Sequence, residues 1–264
     1  MNILKKSLAP LTDEAWEEVK SEAEKVFKAT MTARNFVDID GPYGFDFSAV
    51  STGRLYTPEN QSKSGVNYGI RQVLPLIEVR KPFTLDIWEL DNLSRGAKDA
   101  DIDNMMKAAE EIALFEENII YNGFDQGETK GLLKGSEHKS VTTPEDPEEF
   151  LKVVAGQVIR LKQAYVNGPY TLIVSEKVWK KLVKLTEGYP FTKQLDKILG
   201  GSIIVNHNLN KSLLVSEQGG DYELVIGQDI SIGYDSHDSE KVKLYFTESF
   251  TFRILSPEAI VVFN

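Results

Sequence analysis

The stretch from residue 74 to residue 123 constrains this chain more than any other. It opens with two apolar runs of strand character, LPLIEV (74–79) and FTLDIWEL (83–90), and continues through a polar turn, DNLSRGAKDA. A helical pattern follows over 103–122, in which Met105, Met106, Ala109, Ile112, Ala113, Ile119 and Ile120 recur at three- and four-residue spacing. Asp101 or Asp103 is placed to cap the helix start, and Gly123 sits where a left-handed terminator is wanted. A long central helix with β runs on both sides is not a repeat of βα units. Its flanks must pack onto it or reach outside the chain.

With 264 residues, 41% of them hydrophobic, the chain can bury a core sufficient for one large domain or two modest ones. The absence of cysteine excludes disulfides, thiolate metal sites and thiol nucleophiles, and suits a reducing compartment. A formal charge of −10 disfavours non-specific nucleic-acid binding. No apolar run reaches signal-peptide or membrane-spanning length. The expectation is a soluble, cytoplasmic protein with neither a nucleic-acid nor a membrane partner.

Residues 1–10 read as an extended arm. Thr12 caps a helix whose apolar stripe is Trp16, Val19, Ala23, Val26, Phe27 and Met31. Just past it, Arg34, Phe36, Val37 and Asp38 mix charge with apolar groups, a shelf suited to a partner peptide. GPYG (41–44) is a turn. Residues 51–72 form a long hairpin around PENQSKSG, which has nothing to bury. An isolated two-stranded hairpin is marginal in water, so this one lies on its own domain or pairs with another subunit. Asp146 and Pro147 start a helix to about residue 164 with Phe150, Val154, Val158 and Leu161 inward. Strands over 170–175, 202–205, 212–216 and 222–226 complete an α+β unit spanning 147–226, its last two strands joined by a hairpin signal, EQGGD. The chain closes with strands over 229–234, 241–247, 249–255 and 259–263.

Catalytic patterns are missing. His138, His207 and His237 fall in separate loops, and HExxH, GxSxG, GxGxxG and GxxxxGK do not occur. Glu110, Glu111, Glu116 and Glu117 lack the Glu-x-x-His spacing of a di-iron helix and read as a solvated or intersubunit face. DSHDSE (235–240) lacks EF-hand spacing. Trp88 reads as a packed aromatic, with stacking on a planar ligand as the alternative. No residue is assigned a catalytic role.

Several long segments in order resemble one family. FKATMTARNFVDIDGPYGF (27–45), LPLIEVRKPFTLDIWELDNLSRG (74–96), ELVIGQDISIGY (223–234) and LYFTESFTFRILSPEAIVV (244–262) are similar to the encapsulins, shell proteins that share the tailed-phage capsid fold. The resemblance implies an α+β subunit that self-assembles into an icosahedral shell, in the smallest arrangement for so short a chain. The shell would enclose cargo, a ferritin-like protein or a dye-decolorising peroxidase, for iron storage or oxidative-stress defence. The alternative is a major capsid protein of a phage or prophage. A peripheral domain would comprise 1–50, 74–135 and 227–264, an extended loop 51–73, and an axial domain 136–226.

The resemblance also assigns residues. The lumen-facing first helix would help hold the cargo's C-terminal targeting peptide through Phe27, Arg34, Asp38 and Ile39, with Asp229, Ile230, Ile232 and Tyr234 on the nearby strand. Leu185, Thr186, Glu187, Gly188 and Tyr189 would line the five-fold pore, where a ring of Glu187 carboxylates would favour cations. Relatives carry a loop closer to EEAGHYP there, and its histidine is missing from this chain. No cofactor is required; some relatives stack a flavin near the positions of Arg80 and Trp88.

Overall fold

A computed structural model describes residues 3–59, 65–183 and 191–264. After the N-terminal arm, α1 (Asp13–Thr30) leads to β1 (Asp38–Asp40), β2 (Ala49–Tyr56), β3 (Ile70–Pro75), β4 (Ile77–Asp86), α2 (Ile87–Ser94) and the central α3 (Asp103–Asn122). Then follow α4 (Leu132–Gly135), α5 (Pro147–Gln163), β5 (Tyr170–Ser175), α6 (Glu176–Val183) and α7 (Phe191–Leu199). The chain ends with β6 (Gly200–Asn206), β7 (Ser212–Ser216), β8 (Tyr222–Ile226), β9 (Ser231–His237), β10 (Lys241–Ile254) and β11 (Ile260–Phe263).

β10 is the spine of the first sheet. β4 pairs antiparallel along one side of it, from Lys241 opposite Asp86 to Phe250 opposite Ile77. Its other side is shared: β9 takes the first half, Val242 to Thr247, and β8 takes Phe250 to Ile254. β1 then adds parallel to β8. A second sheet has the order β11-β7-β5-β6, and β2 and β3 pair alone as a two-stranded ribbon.

Two cores result. The first gathers α5, α6, α7 and the second sheet against Ile119, Ile120 and Tyr121 of α3 and Phe250 and Phe252 of β10. The second packs α1, α2 and the start of α3, through Met105, Ala109 and Ile112, against β4, β9 and the first half of β10. α3 and β10 therefore run through both, which ties the cores together without a linker.

Local chemistry fixes several boundaries. The Thr12 hydroxyl accepts from the Ala15 N–H at 3.3 Å, and Asp146 accepts from the Glu149 N–H at 2.9 Å with Pro147 in the first turn of α5. α3 spans the expected residues, but Ile102 stands at its cap position and neither Asp101 nor Asp103 caps it: the Asp101 carboxylate accepts only from the Asp103 N–H at 3.2 Å, and Gly123 ends the helix at φ 85°, ψ 173°, a positive φ without the left-handed helical turn expected. Phe150, Val154, Val158 and Leu161 all face inward.

Four expectations are corrected. The strands expected at 74–79 and 83–90 divide elsewhere: Leu74 and Pro75 end β3, and from Ile77 to Asp86 the chain is one strand, β4, which passes straight through Lys81–Pro82. As β4 is the sheet's edge strand, a proline without an N–H is tolerated there. From Ile87 the chain is helical, because the Asp86 carboxylate caps α2 by accepting from the Trp88 N–H at 2.8 Å, so α2 consumes the start of the supposed turn. The strands expected at 241–247 and 249–255 are likewise one, β10, whose Glu248 is fully buried within it. Finally, EQGGD joins no hairpin: β7 and β8 lie in different sheets.

Two strands join sheets apart from their neighbours in the chain. β8 sits in the first sheet, and the C-terminal β11 sits in the second beside β7.

Candidate functional site

α1 buries Ala15, Val19 and Ala23, and the stripe continues through half-buried Phe27 to Met31. The ring of Phe27 meets Phe246 of β10 edge-on, with centroids 5.5 Å apart. Beside it, the segment 229–232 leads into β9. The two elements enclose a groove of about 340 Å³ with an apolar floor of Ala23, Phe27, Met31, Ile230, Ile232 and Phe246. Lys6, Lys20, Glu24, Arg34, Asp229 and Ser231 form its polar rim.

At one end of the groove lies a buried charge cluster. The Arg34 Nε donates to Glu116 at 2.9 Å, and its Nη2 donates to Glu116 and Glu248, each at 2.5 Å. Its Nη1 donates to Asp229 at 3.0 Å. Burial opposes the guanidinium charge, but the hydrogen bond and charge of Glu116, with Glu248 and Asp229, outweigh it and hold Arg34 above its ordinary pKa. Burial, then the neighbouring Glu116, pushes Glu248 well above the usual carboxylate range. With four of five N–H groups engaged, Arg34 keeps a single donor for anything arriving in the groove. Its first duty is to its own chain.

A second buried carboxylate adjoins the first. Glu117 accepts from the Thr32 hydroxyl at 2.6 Å, the Ala33 N–H at 2.8 Å and the Asn206 amide at 3.1 Å. Burial raises it to about 7 despite these donors. This pair corrects the expectation of a solvated or intersubunit face: Glu116 and Glu117 are both buried, while Glu111 pairs with Lys81 at the surface. The spacing held the clue. Glu116 falls between Ile112 and Ile119, and Glu117 between Ala113 and Ile120, inside the buried stripe itself. Met106, expected in that stripe, is exposed.

Of the expected docking residues, Phe27, Arg34, Asp229, Ile230 and Ile232 meet in the groove. Asp38 and Ile39 do not line it: they lie on β1 opposite Glu223 and Leu224, and the Asp38 carboxylate accepts from the Gly220 N–H. Tyr234 lies just beyond, its N–H donating to the Leu4 carbonyl at 2.8 Å and its hydroxyl bonded to His237 Nδ1 at 2.7 Å. Leu185, Thr186, Glu187, Gly188 and Tyr189 fall outside the described residues.

Arg80 and Trp88 do not form one site within the subunit. The Arg80 guanidinium stacks 4.3 Å from the Tyr245 ring centre and pairs with Glu78 at 3.6 Å. Trp88, expected as a packed aromatic, is 68% exposed and lies outside the cavity that Arg80 lines. The residues present do not fit a flavin bound by a single chain.

Among the described residues there is no group of three or more His, Asp or Glu able to hold a metal ion, and no helix long and apolar enough to cross a membrane.

Residues 1–251 match the family model described as an encapsulating protein for peroxidase. The chain is 38% identical over 262 residues to a type 1 encapsulin shell protein of Mycolicibacterium paratuberculosis, covering 99% of this chain and 98% of the relative. A type 1 encapsulin shell protein of Brevibacterium linens is 41% identical over 263 residues, with the same coverage of 99% and 98%. A ferritin-like-encapsulin shell fusion protein of Pyrococcus furiosus is 28% identical over 204 residues, which is 76% of this chain and 56% of the fusion. Among solved structures, a virus-like particle from Pyrococcus furiosus matches with a TM-score of 0.68 at 20% identity, covering 94% of this chain and 98% of that one. The capsid of Myoviridae phage XM1 matches with a TM-score of 0.59 at 9% identity, covering 88% and 91%. These two likenesses carry the fold: α+β, of the tailed-phage capsid type.

Proposed function

The chain belongs to the encapsulin family of shell proteins, and from that premise we propose that its copies assemble into an icosahedral shell, of the smallest arrangement, around cargo proteins. It is a structural protein and not an enzyme. Full-length relatives at 38% and 41% identity are shell proteins, whereas the phage capsid stands at 9%, which favours the shell over the phage-capsid alternative.

The observation that carries the reading is the β2–β3 ribbon. Residues 51–57 and 65–73 are all exposed, and Leu55, Tyr56, Val66, Tyr68, Ile70 and Val73 present large apolar side chains that their own subunit does not cover. An exposed apolar ribbon of this size is a pairing surface, and a second copy of the chain supplies its complement. In this proposal residues 51–73 are the extended loop between subunits. Residues 1–50, 74–135 and 227–264 form the peripheral domain and 136–226 the axial domain, with β11 inserted beside β7.

Cargo docks by a C-terminal targeting peptide in the α1–β9 groove. Phe27, Ile230 and Ile232 supply apolar anchors, and the charge cluster fixes the groove's shape. The ferritin-like-encapsulin fusion relative supports an iron-handling cargo, and the family description supports a peroxidase. The compartment is the cytoplasm, and the five-fold pore is assigned by family resemblance to residues 185–189, which lie outside the described residues.

The test is the native mass and negative-stain image of the chain purified alone. Uniform hollow particles of megadalton mass are expected. A species near the 29.6 kDa chain mass would overturn the shell assignment.

A further inference from the structure

The α1–β9 groove has two chemically unlike ends. Along α1 the rim and floor run Lys20, Ala23, Phe27, Met31, and at 1.5 Å per residue Lys20 stands about 16 Å from Met31. The strand side runs in step with it. Asp229 meets Arg34 at one end, while beyond Ile232 the Tyr234 N–H holds the Leu4 carbonyl of the N-terminal arm at the other.

At the first end positive charge is already matched, because Glu116, Glu248 and Asp229 surround Arg34. Toward the arm end the nearest rim carboxylate, Glu24, is drawn off by Lys28 at 3.4 Å. Lys6 and Lys20 line the groove together. Lys20 pairs with Glu17 at 3.1 Å, but Lys6 makes no ion pair among the described residues, although Asp13 lines the adjoining cavity. Its ammonium lies 5.9 Å from the Trp16 ring centre. Burial, and then Lys20, lowers the pKa of Lys6, as expected of a cation lacking its counter-charge.

The backbone offers a second contact. Ile232 and Tyr234 lie two residues apart on a regular stretch of β9, so their N–H and C=O groups point to the same side, away from β10. Leu4 engages Tyr234 on that side, leaving Ile232 for an incoming strand.

We propose a direction for the docked targeting peptide, which lies extended with its free C-terminus at the arm end of the groove. The terminal α-carboxylate lies at Lys6 and Lys20, and Ile232 pairs with the incoming backbone. A span of about 16 Å holds about five extended residues, so the partner's recognised segment is its final five or so. This rests on the groove being the cargo-docking site.

The experiment equilibrates the purified full-length chain with a synthetic octapeptide pool. Each peptide carries two aliphatic residues two positions apart among small polar ones and is made in paired free-acid and C-terminal amide forms. The native protein is expected to hold acids about tenfold more tightly than their amides. The Lys6→Gln/Lys20→Gln double variant, altered only on the arm and the rim of α1, should bind both forms equally. Equal binding of acids and amides by the native protein overturns the proposed orientation while leaving the docking site in place. An acid preference that survives in the double variant overturns the role of the lysines. Retention of neither form overturns the docking reading and the orientation together.

Discussion

Replacing Arg34 with alanine tests whether the residue serves the groove or the core. Its side chain is 19% exposed and joins two carboxylates that are fully buried, Glu116 and Glu248, and a third, Asp229, at the rim. Removing one partner of a buried ionic group leaves the others without compensation and destabilises by about 3–5 kcal/mol. Domains of this kind have about 5–15 kcal/mol to lose. Arg34→Ala should therefore lower the unfolding midpoint, measured by urea titration of dissociated subunits at pH 7, and should lower the yield of shells. A variant with Arg34→Met, Glu116→Leu and Glu248→Leu removes the cation and both buried carboxyl groups together and should recover most of the loss. Normal stability for Arg34→Ala, with only cargo capture reduced, would refute this reasoning and assign the guanidinium to the partner.

The second buried carboxylate gives a pH signature. Glu117 is raised to about 7, so between its unfolded value and 7 the folded state holds a proton that the unfolded chain has released. Its contribution is fully present in acid and is lost as pH rises through 7, by about 3 kcal/mol in all. Glu117→Gln should flatten that part of the stability profile, and an unchanged slope would remove Glu117 as its source. Phe27→Ala removes a groove anchor that is only half-buried, so shells should form while capture of tailed cargo falls, as read by the cargo-to-shell ratio on a denaturing gel. Paired Leu55→Lys and Ile70→Lys substitutions charge the exposed ribbon and should leave a folded subunit that does not form particles in size-exclusion chromatography. Glu187→Lys should slow iron uptake without changing shell mass, and an unchanged rate would detach that residue from the pore.

Periodicity and caps made much of the fold legible. α1, α3 and α5 follow from Thr12, from the stripe Met105 to Ile120, and from Asp146–Pro147, because a helix writes its buried face every three or four residues. The groove was legible in part. Phe27, Ile230 and Ile232 are apolar in segments already assigned, but Asp38 and Ile39, near Arg34 in sequence, turn onto β1 instead. The misreadings share one cause. Pro82 and Glu248 look like breaks in a strand, and whether they are depends on position within the sheet: Pro82 is saved by lying on an edge, and Glu248 by the guanidinium waiting for it. Glu116 and Glu117 look solvated because a carboxylate is rarely buried without a partner, and theirs lie more than eighty residues away.

By itself the sequence determined the long helices α1, α3 and α5, the β-rich end, the unsatisfied hairpin and the family, since each is written in local pattern or in long ordered segments. Only the tertiary structure decided that β7 and β8 part into two sheets and that β11 returns to the second. It alone brought Arg34, Glu116, Asp229 and Glu248 together and set Lys6 beside Lys20 without an ion pair of its own among the described residues. Strand pairing and buried ion pairs join residues far apart in the chain, and local propensity carries no record of which distant group will be there to meet them.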